Sequence, residues 1–91
     1  MFNKLKQFKD LRNQAKTLQS ALALELTEYE RGGVKIVMNG NMEITKLTIN
    51  TDAPKEKLEN IMTEVTNETI KRAQKLMAKK VQEMGGIQGF N

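Results

Sequence analysis

The chain has no cysteine, no histidine and no tryptophan, and only 4% of its residues are aromatic. Without Cys and His there are no disulfides, no thiol nucleophile, none of the usual soft metal ligands and no imidazole base. Neither a Ser-His-Asp or Cys-His set nor an HExxH motif can be assembled. Gly32-Gly33 lacks the GxxxxGK[ST] spacing of a phosphate loop and falls between strand-like stretches, not between a strand and a helix. Most of the carboxylates lie beside lysines on helix faces, where solvated ion pairing is their ordinary role. The sequence therefore indicates no enzyme: no catalytic residue, no metal, no cofactor and no small-molecule substrate. Phe2, Phe8, Tyr29 and Phe90 do not interleave with basic strand positions, so a sheet platform for stacking single-stranded bases is also missing. No apolar run approaches the roughly 20 residues needed to span a bilayer, and Met1–Lys9 has no continuous apolar signal region. A soluble cytoplasmic protein without membrane partners is the expectation, and the absence of Cys fits a reducing compartment.

The chain does have long breaker-free stretches on either side of a short strand-like centre. No Pro or Gly interrupts Met1 to Arg31, and Phe8, Leu11, Ala15, Leu18 and Leu22 step by three, four, three and four. That spacing predicts an amphipathic helix from about residue 3 to 24. Leu24 to Tyr29 alternates, which favours a strand over 25–31 closed by Gly32-Gly33, with a helix continuing to Glu30 as the competing reading. Val34 to Met38 is the clearest strand (33–38), and Asn39-Gly40 is a strong hairpin signal leading into a third strand over 42–50. A three-residue loop, Asn39-Gly40-Asn41, would set Met38 opposite Met42, Ile36 opposite Ile44 and Val34 opposite Lys46, which pairs apolar faces better than a two-residue loop. Leu47 and Ile49 then fall out of phase with Ile44. Either a bulge near Thr45-Lys46 resets the phase or both sheet faces are partly covered.

Thr51-Asp52-Ala53-Pro54 opens a second helix over about 54–84, with Asp52 or Thr51 as cap, Pro54 in the first turn and Gly85-Gly86 as stop. Its apolar line thins after Val65, so its C-terminal half is expected to project as an arm, packed along the first helix or a partner's helix. Residues 85–91 read as a Gly-rich tail that docks Ile87 or Phe90. The expected fold class is α+β: long helix, three-stranded antiparallel sheet, long helix, in a single domain over 1–91. Methionines at 38, 42, 62, 77 and 84 lie in apolar stripes and read as core filling. A core this small cannot cover two long helices, so a twofold homodimer is expected to supply the missing burial.

Net charge is +4, and its distribution is uneven. Residues 1–20 carry five basic side chains against one acidic, residues 71–80 carry five against none, and 52–68 carry five acidic against two basic. Lys9, Arg12 and Lys16 fall on one stripe beside the apolar seam of the first helix, with Lys6 farther round. Lys71, Lys75 and Lys79, spaced by four, form a ridge on the second helix, with Arg72 and Lys80 beside it. Clustered Lys and Arg suit a polyanion, through phosphate neutralisation and counterion release. Double-stranded DNA gripped by helices fits better than a base-stacking sheet, with RNA as a further option. The contrasting reading is a non-enzymatic protein-interaction scaffold dimer whose basic helix faces serve solubility.

Several stretches occur in a distinctive order: Leu5-Lys6-Gln7 and Gln14-Ala-Lys-Thr-Leu-Gln19, then Gly32-Gly-Val-Lys-Ile-Val-Met-Asn-Gly40. These are followed by Ile44-Thr-Lys-Leu-Thr-Ile49, Lys57-Leu-Glu-Asn-Ile-Met62, Asn67-Glu68 and Met84-Gly-Gly-Ile-Gln-Gly-Phe90. Over nearly its whole length the chain resembles the YbaB/EbfC family of bacterial nucleoid-associated proteins. It departs from that family's pattern in its two-glycine turn, in Asn50 where Asp is common, and in a short link to the last helix. The resemblance implies a tweezer-shaped homodimer that binds DNA through protruding helices and is nucleoid-associated. Lys6, Lys9, Arg12, Lys16, Lys71, Arg72, Lys75, Lys79 and Lys80 are the DNA contacts expected from the two matching helices.

Overall fold

A computed structural model of the protein describes residues 3–84, with side chains from Lys6 onward. The elements are α1 (Asn3–Ala23), β1 (Leu26–Arg31), β2 (Val34–Asn39), β3 (Ile44–Ile49) and α2 (Lys55–Glu83). The strands form one antiparallel sheet in the order β1-β2-β3. The α+β architecture is the one its sequence implies, and residues 25–31 belong to the strand side of the competing readings.

Gly32 and Gly33 make the two-residue turn between β1 and β2, with Arg31 paired to Val34. Both have positive φ, 61° and 86°, as a type I′ turn requires and as β-branched or bulky residues resist. A side chain at Gly33 would also run into the carbonyl oxygen of Asn50, whose amide donates back to the Gly33 carbonyl at 2.7 Å.

The second hairpin differs from its expected register. Met38 faces Ile44, Ile36 faces Leu47 and Val34 faces Ile49, so the loop is wider than three residues. Asn39 is the physical reason. Its Oδ1 accepts from the amides of Asn41 at 2.9 Å and Glu43 at 3.1 Å, and its Nδ2 donates to the Glu43 carboxylate at 2.9 Å. The longer loop therefore satisfies its own backbone. Pairing then skips from Val37–Lys46 to Met38–Ile44, leaving Thr45 as a bulge residue whose hydroxyl donates to the Val37 carbonyl at 3.3 Å. This bulge resets the phase and places Ile44, Leu47 and Ile49 on the same sheet face as Met38, Ile36 and Val34.

That face carries the core. Val34 and Ile36 of β2 pack with Val65 of α2, with Tyr29, Leu58, Ile61 and Met62 at the margin, and Met38 of β2 and Thr69 and Ala73 of α2 are buried as well. The Thr69 hydroxyl, buried in this layer, donates to the Val65 carbonyl at 2.6 Å and so leaves no unsatisfied polar atom there. α2 packs across β1 and β2. Over β3 the same face is open: Ile44, Leu47 and Ile49 are 52%, 46% and 49% exposed.

Two expectations for the second helix need correction. Neither Asp52 nor Thr51 caps it; Pro54 occupies the N-cap position, without a side-chain cap bond, and helical residues start at Lys55. Thr51 instead accepts the Ala53 amide at 3.1 Å, a turn that uses up its hydroxyl before the helix begins. Nor does the C-terminal half form a projecting arm. Ala73 is fully buried and Lys80 still reaches Glu25 at 3.1 Å, so α2 stays on the body through its last turns. The projecting element is α1. The molecule measures 63 × 20 × 18 Å, whereas a helix of 29 residues spans about 43 Å. The remaining length comes from α1, whose side chains from Lys6 to Asn13 are all exposed. The expected tail over 85–91 lies outside the described residues.

Candidate nucleic-acid interface

Charge is sorted along the long axis. Glu56, Glu59, Glu64 and Glu68 lie in the first half of α2, near the β1–β2 turn, which Ile61 approaches at Gly32. Lys71, Arg72, Lys75, Lys79 and Lys80 follow toward the opposite end of the sheet. There Lys80 meets Glu25, Glu25 shares its carbonyl with the amide of Gly40 at 3.0 Å, and Gly40 also donates to Leu22 of α1 at 2.9 Å. The last turns of α2 and the root of α1 therefore meet at one end, and the second cation stripe extends from it along α1. A charge distribution polarised in this way sets up a field that favours a polyanion at the basic end over the acidic one.

The nine candidate cations fall into two groups. Lys6, Lys9, Arg12 and Lys16 on α1, and Lys71, Lys75 and Lys79 on α2, are exposed, and none has an acidic partner in ion-pair range among the described residues. Spacing by four keeps Lys71, Lys75 and Lys79 on one ridge of α2, displaced from the buried line of Val65, Thr69 and Ala73. Arg72 and Lys80 are engaged with the fold. The Arg72 guanidinium lies 4.9 Å from the centre of the Tyr29 ring and 3.5 Å from Glu68. Lys80, only 23% exposed, pairs with Glu25 at 3.1 Å and Glu83 at 3.8 Å. Both still add positive charge to the surface, but their side chains are held in place.

Sequence reasoning missed the seam that these two residues help to form. Arg31 donates to Glu64 at 2.6 Å, Arg72 stacks on Tyr29 and Lys80 pairs with Glu25. Arg31 and Tyr29 share the α2-facing side of β1 through their pairing with Val34 and Ile36, and their partners on α2 recur every eight residues. These contacts fasten the outer edge of the sheet to α2 where the apolar core runs out. Their only sequence trace is opposite charge at separations of 33 and 55 residues, which has no meaning until strand and helix are superposed.

Among the described residues there is no group of three His, Cys, Asp or Glu side chains that could hold a metal ion, and no helix is long and apolar enough to cross a membrane. Among the described residues, Glu25, Leu76, Lys79, Lys80 and Glu83 line a shallow mixed-charge depression beside the Lys80 ion pair. It offers neither a nucleophile–base pair nor an apolar wall for a small molecule.

Comparison with curated proteins gives no match. A profile of the YbaB/EbfC DNA-binding family matches residues 1–88, nearly the whole chain. With its helix–sheet–helix architecture and its cations gathered toward one end, the chain belongs to the YbaB/EbfC DNA-binding family.

Proposed function

We propose that the protein is a non-enzymatic, nucleoid-associated homodimer that grips duplex DNA through phosphate contacts from α1 and α2. It acts in the cytoplasm on nucleoid organisation or gene expression. The observation that carries this reading is the exposure, without acidic partners among the described residues, of Lys9, Arg12 and Lys16 on one helix and Lys71, Lys75 and Lys79 on the other. Lys6 lies beside the first stripe, while Arg72 and Lys80 supply charge from fixed positions on Tyr29 and Glu25. Such contacts read charge and backbone shape, with little sequence discrimination.

The dimer rests on the apolar surface that one chain leaves bare. Ile44, Leu47 and Ile49 line the uncovered part of the core face, and Phe8 and Leu11 stand 67% and 43% exposed on the seam of α1. A contiguous apolar row beside an existing core is a surface for protein contact, and a second copy is the commonest occupant. Two protomers would present every cation twice. The same bare row is what a protein-interaction scaffold would use, so size and DNA affinity must be measured together.

With about 6–8 phosphates neutralised, log K falls against log[salt] with a slope of roughly −5 to −7. Mobility shifts with duplex DNA over a salt series, run beside a sedimentation measurement, test both halves of the proposal. A dimer with a flat salt dependence would leave the scaffold reading standing, and competition with duplex RNA separates the two nucleic acids.

A further inference from the structure

The loop between β2 and β3 is more tightly built than a hairpin connection requires. Across Asn39–Glu43 the Asn39 amide donates to the Glu43 carbonyl at 3.0 Å and the Met42 amide to the Asn39 carbonyl at 3.0 Å, in addition to the three bonds of the Asn39 side chain. Met42 is held at φ 63°, a conformation that a non-glycine side chain adopts only when its surroundings impose it. The outward side of this loop receives α1. The Gly40 amide donates to the Leu22 carbonyl at 2.9 Å, which also accepts the Glu25 amide at 3.1 Å in the turn that ends the helix, and the Asn41 Nδ2 donates to the Gln19 carbonyl at 2.9 Å. Leu22 itself is buried on Gly40: a Cβ there would lie 2.7 Å from Leu22 Cδ2 and 2.9 Å from its carbonyl oxygen.

We propose that the Asn39–Glu43 loop is the aiming device of the α1 arm. Gly40 and Asn41 are positioning residues that determine where Lys9, Arg12 and Lys16 stand on the DNA backbone. The proposal rests on the duplex-DNA reading above. Lys9 lies about 20 Å along the helix from Leu22, so a tilt of about 10° at the root moves it by about 3 Å. That is comparable with the rise of about 3.4 Å per charge of one strand along the DNA helix axis. Within one chain the arm is fastened over its C-terminal turns, where Gln14 and Leu18 are half-buried and Leu22 is buried, so its phosphate contacts depend on how well those turns are held.

Because the chain lacks cysteine, Gln7→Cys and Asn67→Cys place spin labels at two exposed positions, one on α1 and one on α2. Diluting labelled protein with unlabelled protein restricts the distances to one protomer. In this background Gly40→Ala crowds the root of α1, and Asn41→Ala removes a single exposed bond and leaves the packing intact. Both are expected to shift or broaden a narrow distance distribution, Gly40→Ala more. Both should also make the salt slope of duplex binding shallower, by about 2–3 for Gly40→Ala, with affinity down roughly tenfold or more near physiological salt and every basic residue retained. A variant that is merely less stable loses active fraction without changing the slope. An unchanged distribution in both variants, or a broadened one with the parental slope, overturns the proposal. Failure of the parent to bind duplex DNA sinks the DNA reading instead, and the distances then decide alone whether the loop sets the arm.

Discussion

α1 and α2 carry the same kind of sequence signal, an apolar stripe flanked by lysine and arginine, yet the fold treats them differently. α2 is anchored along much of its length: Val65, Thr69 and Ala73 are buried under it, and Arg31–Glu64, Tyr29–Arg72 and Glu25–Lys80 fasten its edge to the β1 side of the sheet. α1 is held over its C-terminal turns: Gln14 and Leu18 are half-buried, Leu22 is buried, the helix touches α2, and Gly40 and Asn41 donate to its carbonyls. An apolar stripe therefore shows that a helix has something to pack against; it does not show that the partner lies in the same chain. The basic ridge of α2 is a fixed surface and that of α1 a lever, so the two should fail in different ways.

The largest effect should come from the fixed ridge. Lys71→Glu, Lys75→Glu and Lys79→Glu together turn three exposed positive charges into three negative ones, on a helix whose core contacts lie on another face. Duplex affinity is expected to drop more than a hundredfold while circular dichroism and sedimentation stay at parental values. Binding that survives the triple change would move the site off α2.

Next comes a contrast in stability. Ile36 is 1% exposed at the centre of the core, and Ile36→Ala should cost about 2–5 kcal/mol in urea unfolding at every protein concentration. Phe8, 67% exposed on the lever, has little to lose within one chain. Phe8→Ala should leave the dilute protein within about 0.5 kcal/mol of the parent and weaken only the concentration-dependent part of stability that dimer formation adds. If Phe8→Ala destabilised the protein equally at all concentrations, α1 would be packed within its own chain.

This contrast also explains what could be read from the sequence. The order of elements and the sheet were legible because Leu, Ile and Val at periods of two and three-to-four, a Gly-Gly turn and a single Pro all agree on them. The bulge at Thr45 was visible as a phase conflict between Ile44 and Leu47. The register was not legible, because it depends on the Asn39 side chain bonding two amides of its own loop. That is a local preference with no periodic trace. The identity of the projecting helix was hidden for a related reason. The apolar line of α2 thins after Val65, but Thr69, which a hydrophobic count omits, and the small Ala73 bury as completely as larger residues. Among the cations, Lys80 is indistinguishable from Lys79 until Glu25 is placed beside it.

The smallest effect should come from that last pair. Glu25→Gln removes the carboxylate that holds Lys80 at 3.1 Å and leaves Glu83 at 3.8 Å. Both partners retain solvent contact, at 23% and 38% side-chain exposure, so water and salt screen the attraction. The loss of stability is expected to be at most about 1 kcal/mol in low salt and to vanish at high salt. Duplex binding should hold or rise slightly, because the substitution removes a negative charge from the basic end and frees Lys80 to reach a phosphate. Urea unfolding at two ionic strengths, with a mobility shift on the same preparation, separates this from an arm effect. A tie that only steadies α2 changes stability and leaves the salt slope of binding near its parental value. If Glu25→Gln instead made that slope clearly shallower, the Lys80 pair would be helping to aim α1, and the division between a fixed ridge and a lever held at its root alone would fail.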